Sequence, residues 1–434
     1  MADGFSSKTA FVLASIGAAV GLGNIWRFPY IASEHGGIWF LIPYLVCLLV
    51  IGIPLFLLEA GQGFLNKKGY FKSIEASKNL KFIRAPLRKA IGTFPVLVST
   101  VILGYYSALC AWSVWFAVEF ILGNNPTFGL MQASYTPVLA FIIVFAAACY
   151  VSFRGISKGI EPVTGYLVPL LFIFLLLLFA YALLLPGSIG QLEKLFAGNS
   201  EKLIDPRTWY YALSQVLFSL SVGYGIMYTY GMHLKSGKGI FSSGFQVAGA
   251  DTAASLLAFF TVVMVSAAAG PAANGLALSF ETLPAFFASQ GLLGAIIGAS
   301  FFILLFSAAF TSIISMLEHT MVSTSFVGAM GKVAISAGIF IIGMLSVLSY
   351  SPAELQLFGK PVLDLLDFVF GTFLAPFSAL VVAFGCAYLL PHHKIAKAIG
   401  LPAKYWGLFS LAAGKVVPAA LILLIIFSQL SGLY

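Results

Sequence analysis

A run of glycines and polar residues interrupts the first long apolar segment of this chain. Residues 15–29 read SIGAAVGLGNIWRFP, where an uninterrupted membrane helix would carry leucine. Glycine costs about 1 kcal/mol per helical position relative to alanine, and proline removes a backbone donor. A helix that breaks inside a membrane exposes carbonyl and amide groups, which can bind an ion or a polar solute. The pattern therefore favours transport as the first functional hypothesis.

The sixth apolar segment carries a second interruption of the same kind. Residues 214–225, SQVLFSLSVGYG, place Ser219, Ser221, Gly223 and Gly225 in the middle of an otherwise apolar helix. Two broken segments at matched positions of two halves indicate a transporter binding site, because each break offers one helix end to an anion and another to a cation. For a single break, the alternative that its glycines only allow tight helix packing stays open.

The composition indicates that the two breaks lie in helices that cross a membrane. The chain has 434 residues, 60% hydrophobic and 9% charged, and its mean hydropathy is +1.00. Soluble domains carry about 25% charged residues, so the sequence predicts a polytopic membrane protein. It has no recognisable phosphate-binding loop, metal-ligand cluster or nucleophile–base pair, so no enzymatic activity and no organic cofactor are predicted. The four cysteines lie in apolar segments, which favours core positions over disulfides.

Eleven segments are apolar over the length of about 20 residues that a spanning helix requires. They are residues 11–33, 38–65, 88–122, 137–153, 163–185, 208–234, 244–269, 292–323, 332–349, 361–390 and 405–430. Because segments one and six are broken, we expect two repeats of five helices, inverted relative to each other. The predicted fold is all-α, with repeats at 1–185 and 186–390, and with a cytoplasmic loop and helix 11 at 391–434.

The distribution of basic residues predicts the orientation. The net charge is +8, yet 17 of the 23 Lys and Arg fall on one side of the predicted spans, 4 on the other and 2 within spans. Basic residues accumulate in cytoplasmic loops, so we expect the N-terminus inside and the C-terminal Tyr434 outside. The positive charge is thus a topology signal, and it predicts a multi-pass protein of the plasma (inner) membrane without a nucleic-acid partner.

Several long motifs carry a family resemblance. The stretches GAAVGLGNIWRFPY, GGIWFLIPY, GIPLFLLE, FSLSVGYG and AAFTSIISMLE resemble the neurotransmitter:sodium symporter family, and the likeness runs from about Phe5 to the end of segment ten. The short outer loops and the missing twelfth span are similar to its prokaryotic members that carry leucine and other hydrophobic amino acids. The resemblance implies alternating access between a bundle, spans 1, 2, 6 and 7, and a scaffold, spans 3, 4, 8 and 9.

The resemblance also implies two sodium sites, and sodium prefers about five or six hard oxygen ligands. The first ion would be held by the substrate carboxylate and by oxygens of Ala19, Asn24, Ser219 and Asp251. The second would be held by the carbonyls of Gly17, Val20 and Ala308 and by the hydroxyls of Thr311 and Ser312. The residues alone leave an alternative open for both hydroxyls, which could bond back to the preceding helical turn.

A substrate site between the breaks is the next implication. The substrate carboxylate would meet the first sodium ion, the amides at Leu22 and Gly23, and the Tyr106 hydroxyl. The expected substrate-binding residues are Ala18, Ala19, Leu22, Gly23, Ile102, Tyr106, Phe218, Ser219, Ser221, Tyr224, Ser312 and Met316. None is charged, which predicts a neutral, largely hydrophobic amino acid. Monoamine-carrying relatives have an aspartate where this chain has Gly21, so the substrate is expected to bring its own carboxylate.

The residues at the extracellular gate match those of the family, whereas the residues at the cytoplasmic gate do not. Arg27 and Asp367 match the extracellular gate pair, for which a plain structural salt bridge is the alternative. The cytoplasmic gate of family members often pairs an N-terminal arginine with an aspartate, but the aligned positions here are Ala2 and Phe326. His233 stands where a tyrosine usually assists. We therefore expect inward closure to depend on something other than that charged latch, such as packing around Phe5.

Asp251 predicts how the chain handles chloride. Chloride-dependent relatives have asparagine at this position and neutral chloride ligands nearby, and the matching residues here are Tyr44, Gln215, Ser219 and Ser255. A fixed negative charge beside the first sodium ion could replace the anion, so transport is predicted to be chloride-independent. Two other functions stay open: an amino-acid-binding membrane receptor or sensor, and a proton-coupled permease of the same fold. The Thr311–Ser312 pair, which matches the second sodium site, is evidence against the permease.

Overall fold

The computed structural model describes residues 4–269, 277–324 and 328–430, and it confirms an all-α membrane fold. Within these ranges, nine helices are long and apolar enough to cross a membrane. A further candidate span is the pair Lys8–Ala19 and Gly23–Glu34, which is bent by 55°. The sixth predicted segment is divided into Pro206–Ser219 and Ile226–Met232, each too short to cross alone, so the count of eleven stays a prediction.

We number the predicted segments as spans 1 to 11. Spans 2, 3, 4, 5, 7, 8, 9, 10 and 11 correspond to Gly37–Asn66, Ala85–Ile121, Thr136–Phe153, Ile156–Leu183, Ile240–Ser266, Gly291–Ser323, Met330–Leu348, Val362–Leu389 and Ala403–Gln429. Shorter helices are Tyr70–Ala76, Phe128–Gln132, Ser188–Ala197, Ser200–Ile204, Leu278–Thr282, Leu283–Ser289 and His392–Ala398. A two-residue antiparallel hairpin pairs Gln356–Leu357 with Lys360–Pro361.

Span 1 breaks where the sequence predicts it. The first part begins at Lys8, where the Ser7 hydroxyl accepts a hydrogen bond from the Ala10 amide at 3.1 Å. Its helical bonding ends at Val20, whose amide donates to the Ile16 carbonyl at 2.7 Å and whose ψ of 97° is extended. The second part begins as a π-helical turn, Gly23–Arg27. Two helix ends therefore meet inside one span.

The break in span 6 uses left-handed backbone at alternate positions. Ser221 has φ of 52°, and Gly223 and Gly225 both have φ of 88°. A left-handed conformation costs about 1–2 kcal/mol for a residue other than glycine, so Ser221 must be held by its contacts. Its hydroxyl donates to the Ala18 carbonyl at 2.6 Å, which joins the two breaks directly.

Two further spans hold the break in span 6. The Gly223 amide donates to Oε1 of Glu59 in span 2 at 2.5 Å, and the Gly223 carbonyl accepts from Ser378 of span 10 at 2.8 Å. A broken helix leaves backbone groups that water cannot satisfy inside a membrane, so buried side chains must do so. Glu59 acts here as a structural support for an unwound segment.

Some predicted boundaries moved. Span 5 begins at Ile156, seven residues before the predicted start at 163, because a π-helical turn, Ile156–Ile160, continues into Glu161–Leu183. The segment between spans 7 and 8 lies partly outside the described residues, and its remainder is helical from Leu278 to Ser289. The aligned gate positions Ala2 and Phe326 also lie outside the described residues.

Candidate functional site

A small cavity lies between the two breaks. Nine of the twelve predicted substrate residues line it: Ala18, Ala19, Ile102, Tyr106, Phe218, Ser221, Tyr224, Ser312 and Met316. Gly21, Asn24, Ser99 and Ile226 complete the lining. Ser99 and Ile226 were not predicted, although Ser99, Ile102 and Tyr106 follow helical spacing on one face of span 3. The walls are mainly apolar with a few hydroxyl groups, as is typical of small-molecule sites.

Three predicted substrate residues lie outside that lining. The Leu22 amide donates to the Tyr106 hydroxyl at 2.9 Å. Gly23 lies under the Phe218 ring, since a Cβ at Gly23 would be 2.5 Å from that ring. The Ser219 hydroxyl donates to Asp251 at 2.9 Å. All three stay predicted substrate-binding residues: in this conformation the Leu22 amide and the Ser219 hydroxyl donate to other side chains, and Phe218 covers Gly23.

A buried carboxylate lies beside the cavity, at Asp251 of span 7. Its Oδ1 accepts from Asn24 Nδ2 at 2.7 Å, while its Oδ2 accepts from Ser219 at 2.9 Å and from the Tyr44 hydroxyl at 3.3 Å. Asn24 Oδ1 accepts the Gly21 amide at 2.9 Å, which ties this cluster to the break in span 1. The structure thus brings three predicted ligands of the first sodium ion into direct contact.

The predicted chloride ligands divide into two groups. Tyr44 and Ser219 donate to Asp251, and Ser255 accepts from Asn24 Nδ2 at 2.8 Å. Gln215 instead donates to the Gly23 carbonyl at 3.1 Å and accepts from Arg27. The carboxylate of Asp251 therefore takes hydrogen bonds from groups that could otherwise solvate an anion.

A second oxygen cluster lies where span 8 meets Lys8–Ala19, the first part of span 1. The Ser312 hydroxyl lies 3.1 Å from the Ala308 carbonyl and 3.4 Å from the Gly17 carbonyl. Thr311 Oγ1 is 3.2 Å from the Ala308 carbonyl, and it bonds back to Ser307 at 2.9 Å. Four of the five predicted ligands of the second sodium ion thus converge. Both hydroxyls also make the back-bonds that the residues alone left open.

Phe218 and Arg27 lie together at one side of the cavity. The guanidinium carbon of Arg27 lies 5.4 Å from the centre of the Phe218 ring. Arg27 donates to Gln215 at 2.8 Å and to Ser214 at 2.9 Å. None of the ion pairs within 4.0 Å in the described part of the chain joins Arg27 to Asp367. The predicted gate pair is apart in this conformation because span 6 satisfies the guanidinium.

This arrangement of a cavity, two helix breaks and two oxygen clusters can be compared with known proteins. A sequence profile described as the sodium:neurotransmitter symporter family matches residues 2–129 and 127–432. The chain belongs to this family. The resemblance seen in the motifs is thereby confirmed over the length of the chain. Membership in this family means that the chain is a sodium-coupled, multi-pass membrane transporter.

Individual relatives agree with this assignment. An uncharacterized sodium-dependent transporter of Methanocaldococcus jannaschii is 28% identical over 409 residues, covering 87% of this chain and 80% of that protein. The uncharacterized sodium-dependent transporter YhdH of Bacillus subtilis is 31% identical over 401 residues, covering 87% of this chain and 86% of YhdH. The crystal structure of MhsT in complex with L-phenylalanine matches with a TM-score of 0.86 at 28% identity, over 98% and 99% of the two chains.

Tyr106 provides a first test of the symporter site. Its hydroxyl touches the Leu22 amide at the break and lies at the cavity wall. Tyr106→Phe removes one hydrogen-bonding group and leaves the ring, so we expect substrate affinity to fall about 5- to 100-fold. Sodium-dependent substrate binding measures the effect, with Tyr135→Phe on an exposed tyrosine as control. Unchanged affinity in Tyr106→Phe would remove this hydroxyl from the site.

Proposed function

We propose that this chain is a sodium-coupled symporter that imports a neutral, hydrophobic amino acid by alternating access, with two sodium ions and without chloride. The observation that carries the proposal is the cavity enclosed by both helix breaks, with the Asp251 cluster on one side and the Ser312 cluster on the other. Substrate and ions at such a site would be held by the segments that must rearrange between the two states.

The cavity supports a substrate with a carboxylate, an amino group and an apolar side chain. The Tyr106 hydroxyl and the amides of the span 1 break would meet the carboxylate. The amino group would meet the carbonyls of the unwound span 6 and the Ser312 hydroxyl. Ile102, Phe218 and Met316 would surround the apolar side chain. The bound L-phenylalanine of MhsT, an amino acid of this kind, supports this choice.

The two oxygen clusters support the proposed ion sites. Ala19 O, Asn24, Ser219 and Asp251 would hold the first sodium ion together with the substrate carboxylate. Gly17 O, Val20 O, Ala308 O, Thr311 and Ser312 would hold the second. Because the first ion would share the substrate carboxylate, substrate would bind weakly without sodium. Ion binding at both breaks would favour the outward-open form, and a ligand shifts such an equilibrium only by its differential affinity for the two states.

We propose the plasma (inner) membrane with the N-terminus in the cytoplasm, as the excess of basic residues on one side of the spans supports. Residues 1–185 and 186–390 would be the two inverted repeats, with 391–434 as the added loop and span 11. In this orientation Arg27 and Asp367 lie on the outer side of the cavity. Their approach would close the outer path once substrate is bound.

The decisive experiment is uptake by proteoliposomes under an inward sodium gradient. We expect labelled leucine or phenylalanine to accumulate with sodium and not with potassium, and other neutral hydrophobic amino acids to compete. Binding without accumulation would favour the receptor function. Uptake that follows a proton gradient without sodium would favour the permease. Competition by acidic or basic amino acids in preference to neutral ones would contradict the proposed pocket.

A further inference from the structure

A second cavity lies between the segment that follows span 2 and the end of span 10, apart from the site between the two breaks. No acidic side chain is among the described residues that line this cavity. Its lining includes Asn66, Lys68, Ser77, Lys78, Asn79 and Lys394, and we call it the basic pocket. We propose that the basic pocket binds the phosphate group of an anionic phospholipid.

The three lysines of the basic pocket have no acidic partner within 4.0 Å in the described part of the chain. Lys68, Lys78 and Lys394 are exposed, and none of them belongs to an ion pair there. Glu75 lies only three residues before Lys78, yet its carboxylate is 3.9 Å from Lys89. Ammonium groups bind phosphate oxygens through charge-assisted hydrogen bonds. An anion between the three lysines would therefore supply the negative charge that the chain itself does not.

Hydrogen bonds between the two walls fix the shape of the basic pocket. Asn79 Nδ2 donates to the Leu389 carbonyl at 2.8 Å, which ties the segment after span 2 to the end of span 10. Gln62 Nε2 donates to the Cys386 carbonyl at 2.6 Å one turn earlier in span 10. Asn66 Nδ2 donates to the Gln62 carbonyl at 2.8 Å. The backbone that carries the lysines is thus already in place, so a ligand would not have to order it.

The rim of the basic pocket favours a lipid over a free anion. Leu389 and Leu390 line the pocket, and Tyr388 directly precedes them. Tyr388 and Phe82 are 48% and 70% exposed, and their rings meet edge-on with 6.5 Å between the centres. Exposed aromatic rings at the end of a span are typical of the membrane–water interface. The lysines therefore lie at the level of lipid phosphates, with apolar groups beside them for the rest of the lipid.

This inference goes beyond the proposed function and takes from it only the orientation of the chain. In that orientation the basic pocket faces the cytoplasmic leaflet, where anionic lipids attract basic segments. A phosphate held by Lys68 and Lys78 on one wall and by Lys394 on the other would bridge the ends of spans 2 and 10.

The test is binding of a fluorescently labelled phosphatidylglycerol to the detergent-solubilised full chain. The pocket variant is Lys68→Gln/Lys78→Gln/Lys394→Gln, which removes the three charges and keeps polar side chains of similar length. A lysine near an anionic lipid surface contributes a factor of about five to the affinity. We therefore expect the pocket variant to bind the probe at least about tenfold more weakly than the wild type.

The matched control removes three lysines from the same segment, none of which is in the lining of the pocket: Lys72→Gln/Lys81→Gln/Lys89→Gln. Both variants lose the same net charge, so a general attraction between positive charge and lipid would weaken both equally. We expect the control variant to bind the probe as the wild type does.

Competition identifies the source of the phosphate. Unlabelled phosphatidylglycerol should displace the probe from the wild type, whereas phosphatidylcholine and inorganic phosphate at the same concentration should not. Equal displacement by inorganic phosphate would overturn the lipid, and equal displacement by phosphatidylcholine would overturn recognition of its charge. Equal affinities of the pocket and control variants would overturn the pocket.

The melting temperature shows whether each variant is folded. If the pocket variant does not fold, the single variants Lys78→Gln and Lys394→Gln decide, each with an expected loss of about fivefold in affinity. Wild-type affinity in both would contradict the proposal. Lipid binding is measured without substrate or a sodium gradient, so its failure and the failure of sodium-driven uptake are distinguishable.

Discussion

Transport by the Asp251→Asn variant should depend on chloride. In the wild type, the Asp251 carboxylate lies at the proposed first sodium site and would balance the charge of that ion. Asparagine removes this charge and keeps nearly the same shape. A sodium ion would then lack a nearby anion, except where chloride from solution supplies one. We expect uptake in gluconate to fall at least about tenfold, and chloride to restore much of it.

The neighbours of Asp251 explain why chloride could take its place. Ser219 and Tyr44 donate to its carboxylate, and Ser255 lies next to the shared partner Asn24. After the substitution these hydroxyl groups lose their charged acceptor, and they would be free to solvate a small anion. The measurement is uptake by proteoliposomes in chloride and in gluconate, at one sodium gradient.

Asp205→Asn is the matched control, because it makes the same chemical change at the Asp205 carboxylate that caps Pro206–Ser219, far along the chain from the cluster. It should leave uptake equally independent of chloride. Two results would contradict the argument: a wild-type protein that stops transporting in gluconate, or an Asp251→Asn variant that transports equally well in both salts. The first would show that the carboxylate does not replace the anion.

The breaks in spans 1 and 6 could be predicted because local chemistry determines them. Gly21 and Gly23 weaken the helix of span 1 within a few residues, and the alternate left-handed positions of span 6 include Gly223 and Gly225. The π-helical turn at Gly23–Arg27 could not be predicted, since the bonding pattern of a turn depends on what packs around it. Sequence patterns thus locate an interruption and leave its geometry open.

Contacts between residues far apart in the sequence were the hardest part of the site to predict. Tyr106 was expected near the break through the family resemblance, and its hydroxyl is at Leu22. By contrast, Arg27 could bond to Asp367 or to span 6, and the sequence offers no means of choosing between these acceptors. Glu318 was seen only as the last letter of a motif, although it lies against His233. Such pairs depend on how the helices cross, and a local sequence pattern does not determine that geometry.

Gly223→Ala should have the largest effect on stability among the substitutions considered. Gly223 has φ of 88°, a conformation that costs alanine about 1–2 kcal/mol. An added Cβ would also lie 2.5 Å from Cβ and 2.8 Å from Cα of Ala379 in span 10. Overpacking of this kind costs about 1–3 kcal/mol, so we expect a total loss of about 2–5 kcal/mol.

The same substitution should also abolish substrate binding. Any shift that relieves the clash with Ala379 moves the Gly223 amide away from Glu59 and its carbonyl away from Ser378. The unwound segment between Ser219 and Gly225 would then lose the two bonds that orient it, and with them the carbonyls proposed to receive the substrate amino group. Thermal unfolding and sodium-dependent binding, measured on one preparation, check both effects.

Gly165→Ala in span 5 separates this effect from a general intolerance of alanine for glycine. No atom lies within 4 Å of a Cβ placed at Gly165, which sits in the helix Glu161–Leu183. Alanine favours a helix over glycine by about 1 kcal/mol, so this variant should melt no lower than the wild type and bind normally. Equal behaviour of Gly165→Ala and Gly223→Ala would contradict the close approach of spans 6 and 10 at the break. A stable Gly223→Ala variant that still binds substrate would instead mean that the left-handed turn does not position the site.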